Sequence, residues 1–220
     1  MDMYVLTGEP LYLEAVTGAW EMFRESFLHL GGAMAINEGS VGTYDPADPK
    51  GTWYPPKSYY LEGTASGEHP TGETCGSVFW VKLNQRLHRL NPEDERFVAE
   101  IERSIINIGL MNQAAEVGAP IAGVRYFALL HRHKAPMQNI SSCCEGQGSR
   151  LHGSLPEYIY SYAPKLVSVD LYVQSTLELA KIGGSGSLQI TSGFPLAGPA
   201  MVSYTGEPVE MSIRLRIPSW

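Results

Sequence analysis

Cysteine is scarce in this chain, with three residues in 220. An odd count excludes a simple disulfide framework, and adjacent cysteines rarely bridge because the intervening peptide would be strained. Runs of Lys or Arg are missing, and acidic residues outnumber basic ones 23 to 16 for a net charge of −7. That balance argues against a nucleic-acid surface. No apolar stretch reaches the roughly 20 residues of a membrane span. The opening Met1-Asp2-Met3-Tyr4-Val5-Leu6-Thr7-Gly8 lacks the basic and apolar regions of a signal peptide. Unpaired thiols without an export signal lead to the expectation of a reducing compartment, by default the cytoplasm. With 44% hydrophobic and 18% charged residues, the chain has the composition of a soluble globular protein, long enough for one large domain or two smaller ones.

The few cysteines that exist are clustered. They fall in Glu73-Thr74-Cys75 and in Cys143-Cys144, with Gly72, Gly76, Gly146 and Gly148 close by. Soft thiolates together with one carboxylate make four donors, the set a tetrahedral zinc ion takes. The plainer reading is three small buried hydrophobes, since free cysteine is among the most buried residue types.

The pattern divides the chain into a helical part followed by a strand part. Leu13, Val16, Trp20, Phe23, Phe27 and Leu30 step by three and four, predicting an amphipathic helix ended by Gly31-Gly32. Met1 to Leu6 read as the tail of a further helix. A second long helix is predicted from near Cys75, with Phe79, Leu83, Leu87 and Leu90 facing inward. A third is predicted to open at Asn91-Pro92, with Glu93, Asp94 and Glu95 at its positive end and Phe97, Ile101, Ile105 and Ile108 as its core stripe. A fourth is predicted over Gly148 to Tyr162. Between the first two, Gly31 to Gly72 reads as a long loop whose Tyr44, Trp53, Tyr54, Tyr59 and Tyr60 suit the wall of a cleft. Leu166–Val173, Ser187–Thr191 and Val209–Ile217 alternate apolar with polar, predicting antiparallel strands with one buried face.

Several stretches together resemble the β-L-arabinofuranosidase family, glycoside hydrolase family 127. They are Gly72-Glu73-Thr74-Cys75-Gly76-Ser77, Asn84-Gln85-Arg86-Leu87, Cys143-Cys144-Glu145-Gly146-Gln147-Gly148 and Gly153-Ser154-Leu155-Pro156-Glu157-Tyr158-Ile159-Tyr160-Ser161. The closing Leu215-Arg216-Ile217-Pro218-Ser219-Trp220 is similar to the first strands of that family's β-sandwich. E-T-C paired with C-C at this separation is the specific element. The resemblance implies an α+β multidomain fold, in which residues 1–162 are the last part of an (α/α)6 barrel and 163–220 the beginning of an antiparallel β-sandwich. It implies a retaining glycosidase acting on an arabinofuranoside-type oligosaccharide, with little turnover from this length of chain by itself. Glu73, Cys75, Cys143 and Cys144 would be the Zn2+ ligands and Cys143 the nucleophile. The family's acid/base glutamate follows a glycine pair upstream of E-T-C. That order assigns the role to Glu38, after Gly31-Gly32, with Glu62 and Glu68 as competitors.

Two readings from other classes stand beside this one. A structural zinc module would use the same four ligands as a closed staple, and a carbohydrate-binding fragment would keep aromatic platforms without catalysis. Arg125 and Tyr126 are candidates for contacts to sugar hydroxyls, and His152 and Glu157 for groups supporting the ligands. His131 and His133 read as ordinary polar residues, and His29, His69 and His88 as surface ones. Oligomeric state is not legible at this level.

Overall fold

The computed structural model describes residues 1–26, 28, 31–32, 73–114, 123–125 and 143–219. A short helix, α1 (Asp2–Thr7), stops at Gly8, whose φ of 71° lets its N–H return to Tyr4 O. Pro10 in the first turn opens the long α2 (Pro10–Ser26). Of its predicted stripe, Trp20 is 2% exposed and stacks on Trp80 at 5.8 Å, with Phe97 edge-on at 5.2 Å; Leu13, Val16 and Phe23 are half-buried, and Phe27 and Leu30 lie outside the described residues. The Arg96 guanidinium lies over the Trp20 ring at 5.1 Å.

Helix α3 (Thr74–Leu90) forms where expected, with Leu87 buried and Leu83 packed against the core as predicted, but the buried arc is wider than that stripe and leaves out Phe79 and Leu90. Val78, Val81, Asn84, Gln85 and His88 are inside with Leu87, whereas Phe79 is 54% and Leu90 40% exposed. The apolar spacing marked one stripe of a helix that is covered on more than one side. Asn84 accepts from Trp20 Nε1 and donates to Trp80 O, both at 2.8 Å. Helix α4 (Glu95–Ser104) opens later than Asn91-Pro92, because Asp94 caps it by accepting from Arg96 N, while Asn91 instead closes α3. Phe97, Ile101, Ile105 and Ile108 are all buried, as the periodicity predicts, and the helix runs on into a π-helical turn, Ile105–Leu110.

A two-stranded hairpin follows, β1 (Gln113–Ala114) against β2 (Gly123–Val124). Helix α5 covers Cys143–Gly153, so the fourth helix starts and ends earlier than the predicted 148–162. Gly153 and Pro156 explain the early stop: proline supplies no helical N–H, and Leu155–Tyr158 tightens into a 3-10 turn. Tyr160 to Ala163 then become a strand, β3, rather than helix.

The strand part holds two small sheets, neither of them closed. One has the order β3–β4 (Leu166–Val169)–β8 (Ser212–Leu215), the other β5 (Ser175–Glu178)–β6 (Ser187–Thr191)–β7 (Met201–Thr205). All pairs are antiparallel except β4 with β8, which run parallel, with Leu166 opposite Ser212 and Val169 opposite Leu215. The all-antiparallel expectation fails there because the whole β5–β6–β7 meander serves as the crossover a parallel pair requires. Val167 and Val169 from one sheet and Leu188 and Ile190 from the other, each fully buried, share a core with Ile159 and Leu179.

Ionic contacts join the two parts. Arg216, 8% exposed, reaches Glu95 at 2.8 Å and Glu102 at 2.5 Å on α4. His88, expected on the surface, is 6% exposed at the end of α3, where its Nε2 lies 3.0 Å from Ser161 Oγ and 3.3 Å from Asp170 Oδ2. Among the described residues no helix is long and apolar enough to cross a membrane.

Candidate metal centre and active site

The two cysteine motifs sit at the starts of two helices that pack together. Glu73 is the extended residue just before α3 (φ −83°, ψ 134°), so Cys75 lies in its first turn, and Cys143-Cys144 open α5. Helix N-termini carry uncompensated N–H groups and a partial positive charge, which favour anionic side chains. The packing brings all three sulfurs within 4.8 Å of one another. Cys144 Sγ is 3.2 Å from Cys75 Sγ and 3.7 Å from Glu73 Oε1. None of the three is in a disulfide.

Burial is uneven across the cluster. Glu73 is 4%, Cys75 8% and Cys144 0% exposed, whereas Cys143 is exposed. Burial pushes the Cys75 thiol up to about 11, and burial also pushes Cys144 up. Burial thus opposes thiolate formation at Cys75 and Cys144, and a bound cation would favour it.

The donor set fits such a cation. Sulfurs around tetrahedral zinc at about 2.3 Å lie about 3.8 Å apart. The separations found, 3.2 Å for one pair and at most 4.8 Å for the others, bracket that value. Three soft donors and one carboxylate match zinc better than magnesium or calcium, which take oxygen ligands. Three of the four donors are inside and one faces outward, an arrangement unlike the closed shell of a structural site.

Other candidates from the sequence fall elsewhere. His152 donates from Nδ1 to Gly148 O at 2.8 Å, two helical turns beyond Cys144, and Glu157 meets Gln85 at 3.4 Å near the far end of α3. Neither is beside the thiols. Arg125 is 6% exposed, and its guanidinium donates to Gln113 O at 3.1 Å. Glu38, Glu62, Glu68, Tyr126, His29, His69, His131, His133 and the aromatic loop lie outside the described residues. Thr74 and Asn112, both buried and bonded to each other at 2.8 Å beside the cluster, were not singled out in the sequence. The only clue to Thr74 was its place inside E-x-C, and Asn112 had none.

A mixed helix-and-sheet chain with a soft, carboxylate-assisted thiol cluster at two helix starts defines a candidate metal-dependent enzyme. Comparison with protein families narrows this. The model of the β-L-arabinofuranosidase GH127 catalytic domain matches residues 1–157, and the chain belongs to that family of glycoside hydrolases. Solved structures share the fold. A GH127 β-arabinofuranosidase aligns over 100% of this chain and 32% of its own length at 23% identity, with a TM-score of 0.74. A GH127 β-L-arabinofuranosidase from Geobacillus stearothermophilus T6 aligns over 91% of this chain and 31% of its own, also at 23% identity, with a TM-score of 0.65. A third, described as a glycoside hydrolase, aligns over 100% and 38% at 18% identity, with a TM-score of 0.70. The chain thus spans about a third of the length of the structures it matches. A search among curated proteins found no match.

Proposed function

We propose that this chain carries the metal site and nucleophile of a retaining glycoside hydrolase acting on β-L-arabinofuranosides. In this reading residues 1–162 belong to an (α/α)6 barrel and 163–220 to a β-sandwich. The observation that carries it is the convergence of Cys75, Cys143 and Cys144 within 4.8 Å, with Glu73 alongside and only Cys143 exposed. That exposure favours catalysis over a closed structural staple.

Glu73, Cys75, Cys143 and Cys144 would hold zinc, which supplies the positive charge that keeps buried thiols ionised at neutral pH. Cys143, at the open face and the N-terminus of α5, is the sulfur a substrate can reach. Its lone pair forms a bond to the anomeric carbon as the bond to the leaving oxygen breaks. Glu38, the acid that the family resemblance implies, gives its proton to that oxygen. In the second half Glu38 takes a proton from water, the water oxygen bonds to the anomeric carbon, and the C–S electrons return to Cys143. Two inversions leave the configuration retained.

Treating the enzyme with an arabinofuranosyl electrophile and mapping the adduct by mass spectrometry tests the assignment. Label on Cys143 is expected. Label on Cys144 would move the nucleophile, and no label on either would remove the mechanism. For the acid, Glu38→Ala should spare aryl glycosides with good leaving groups, and azide should partly restore turnover. A silent Glu38→Ala beside an inactive Glu62→Ala or Glu68→Ala would move the role along the loop.

A further inference from the structure

Two adjacent residues, Val124 at the end of β2 and Arg125 just after it, touch the two helices that carry the cysteine motifs. The Arg125 carbonyl accepts a 2.7 Å bond from Thr74 Oγ1, and Thr74 lies between Glu73 and Cys75. The same hydroxyl accepts from Asn112 Nδ2 at 2.8 Å, and the Arg125 N–H closes the ring by donating to Asn112 O at 2.8 Å. Thr74 is 1%, Asn112 0% and Arg125 6% exposed, so these bonds are shielded from water, where exchange for solvent partners is hardest.

On the other side Val124 packs against α5. A Cβ added at Gly148 would fall 2.5 Å from Val124 Cγ1, so only glycine permits the approach. Gly148 is four residues after Cys144, which places the two on one face of the helix. Neighbouring Cα atoms are about 3.8 Å apart. One dipeptide therefore relates the start of α3 to the middle of α5, one turn past Cys144.

We propose that the β1–β2 hairpin is a spacer that sets the separation of the two cysteine motifs, with Thr74 as the positioning residue for Glu73 and Cys75. This rests on the reading of the cluster as a zinc site. A hydroxyl held by one donor and one acceptor cannot rotate, so the two donors flanking it are presented together. Groups behind metal ligands that fix them in this way typically account for about 10–100-fold in metal affinity.

The test uses the whole 220-residue chain and two readouts, zinc affinity by competition with a chromophoric chelator and the visible spectrum of the cobalt-loaded chain. Thr74→Val keeps shape and removes the hydroxyl; it should weaken zinc about 10–100-fold and alter the cobalt bands. Thr74→Ser keeps the hydroxyl and should stay within about threefold of wild type. The spacer is overturned if Thr74→Val binds as wild type with the same cobalt spectrum, or if Thr74→Ser loses as much. Where Thr74→Val fails to fold, Gly148→Ala decides. Alone it should weaken zinc, and combined with Val124→Ala, which makes room for the new methyl, it should recover. Failure of the double variant to recover overturns the spacer. A wild-type chain that takes up no zinc overturns the zinc reading as well, and is told apart because it fails before any substitution is made.

Discussion

The helical part and the sheet part of this chain both have apolar cores, but buried polar side chains are far more numerous in the helical part. Around α3, α4 and α5 polar side chains lie beside the apolar core of Val78, Val81, Val98 and Ile101, among them Asn84 between Trp20 and Trp80, Glu100 beneath Trp80 Nε1 at 3.2 Å, and Thr74 against Asn112. Between the two sheets the shared core is aliphatic, with Val167, Val169, Leu179, Leu188 and Ile190 at 0% exposure. Hydrogen bonds are directional and fix atoms to tenths of an ångström, whereas aliphatic packing is tolerant of rearrangement. All three cysteines lie in the helical part. The comparison teaches that the thiol cluster sits in the part richer in buried polar side chains.

The sharpest way to break that contrast is Cys144→Ala. It should abolish stoichiometric zinc uptake, measured by metal analysis of the dialysed chain, because a fully buried donor is lost. Arg216→Met cuts one of the ties between the parts and leaves Glu102, itself 4% exposed, without that cation. Chemical denaturation should report a loss of about 3–5 kcal/mol. Leu188→Ala opens a cavity in the sheet core and should cost about 2–5 kcal/mol while leaving zinc uptake unchanged. Loss of zinc uptake in that variant would show that the two parts are not separable.

A smaller effect concerns pH. Burial raises Cys75 to about 11 in the folded chain, above its unfolded value of about 8.5. A raised folded value gives stability that is complete below the unfolded value and lost as pH climbs through the folded one. The urea midpoint of the metal-free chain, kept reduced, should therefore fall between about pH 8.5 and 11. Zinc should flatten that profile, since bound thiols are already deprotonated. Smallest is Asp94→Ala, which removes the cap of α4 and should cost about 1 kcal/mol. Its hydrogen bond from Arg96 holds the Asp94 carboxyl below the usual range, so this contribution is lost as pH falls into the acid range through that lowered value.

Much of the fold was legible where it obeys local rules. Phe97, Ile101, Ile105 and Ile108 turned inward as their spacing required, and β6 occupies the predicted Ser187–Thr191. The errors arose where a neighbour decided. Phe79 points out and His88 in because α3 is covered on more than one side, and a helical period records apolar spacing, not how much of the helix is enclosed. Tyr160 to Ala163 joined a sheet once Leu166–Val169 was there to pair with it.

By itself the sequence determined which donor types are present: three thiols and a carboxylate in E-x-C and C-C, a softer set than the oxygen ligands hard cations take. It also determined the family, whose domain model spans residues 1–157. The tertiary structure alone decided that Cys75 and Cys144, 69 positions apart, lie 3.2 Å from each other, that Cys143 faces outward, and that β4 pairs parallel with β8. The physical reason is range. Residue type and periodicity act over a few positions, through dihedral preference and the geometry of a single turn. The meeting of distant helix starts depends instead on what fills the space between them, here Val124 against Gly148 and Thr74 against Arg125.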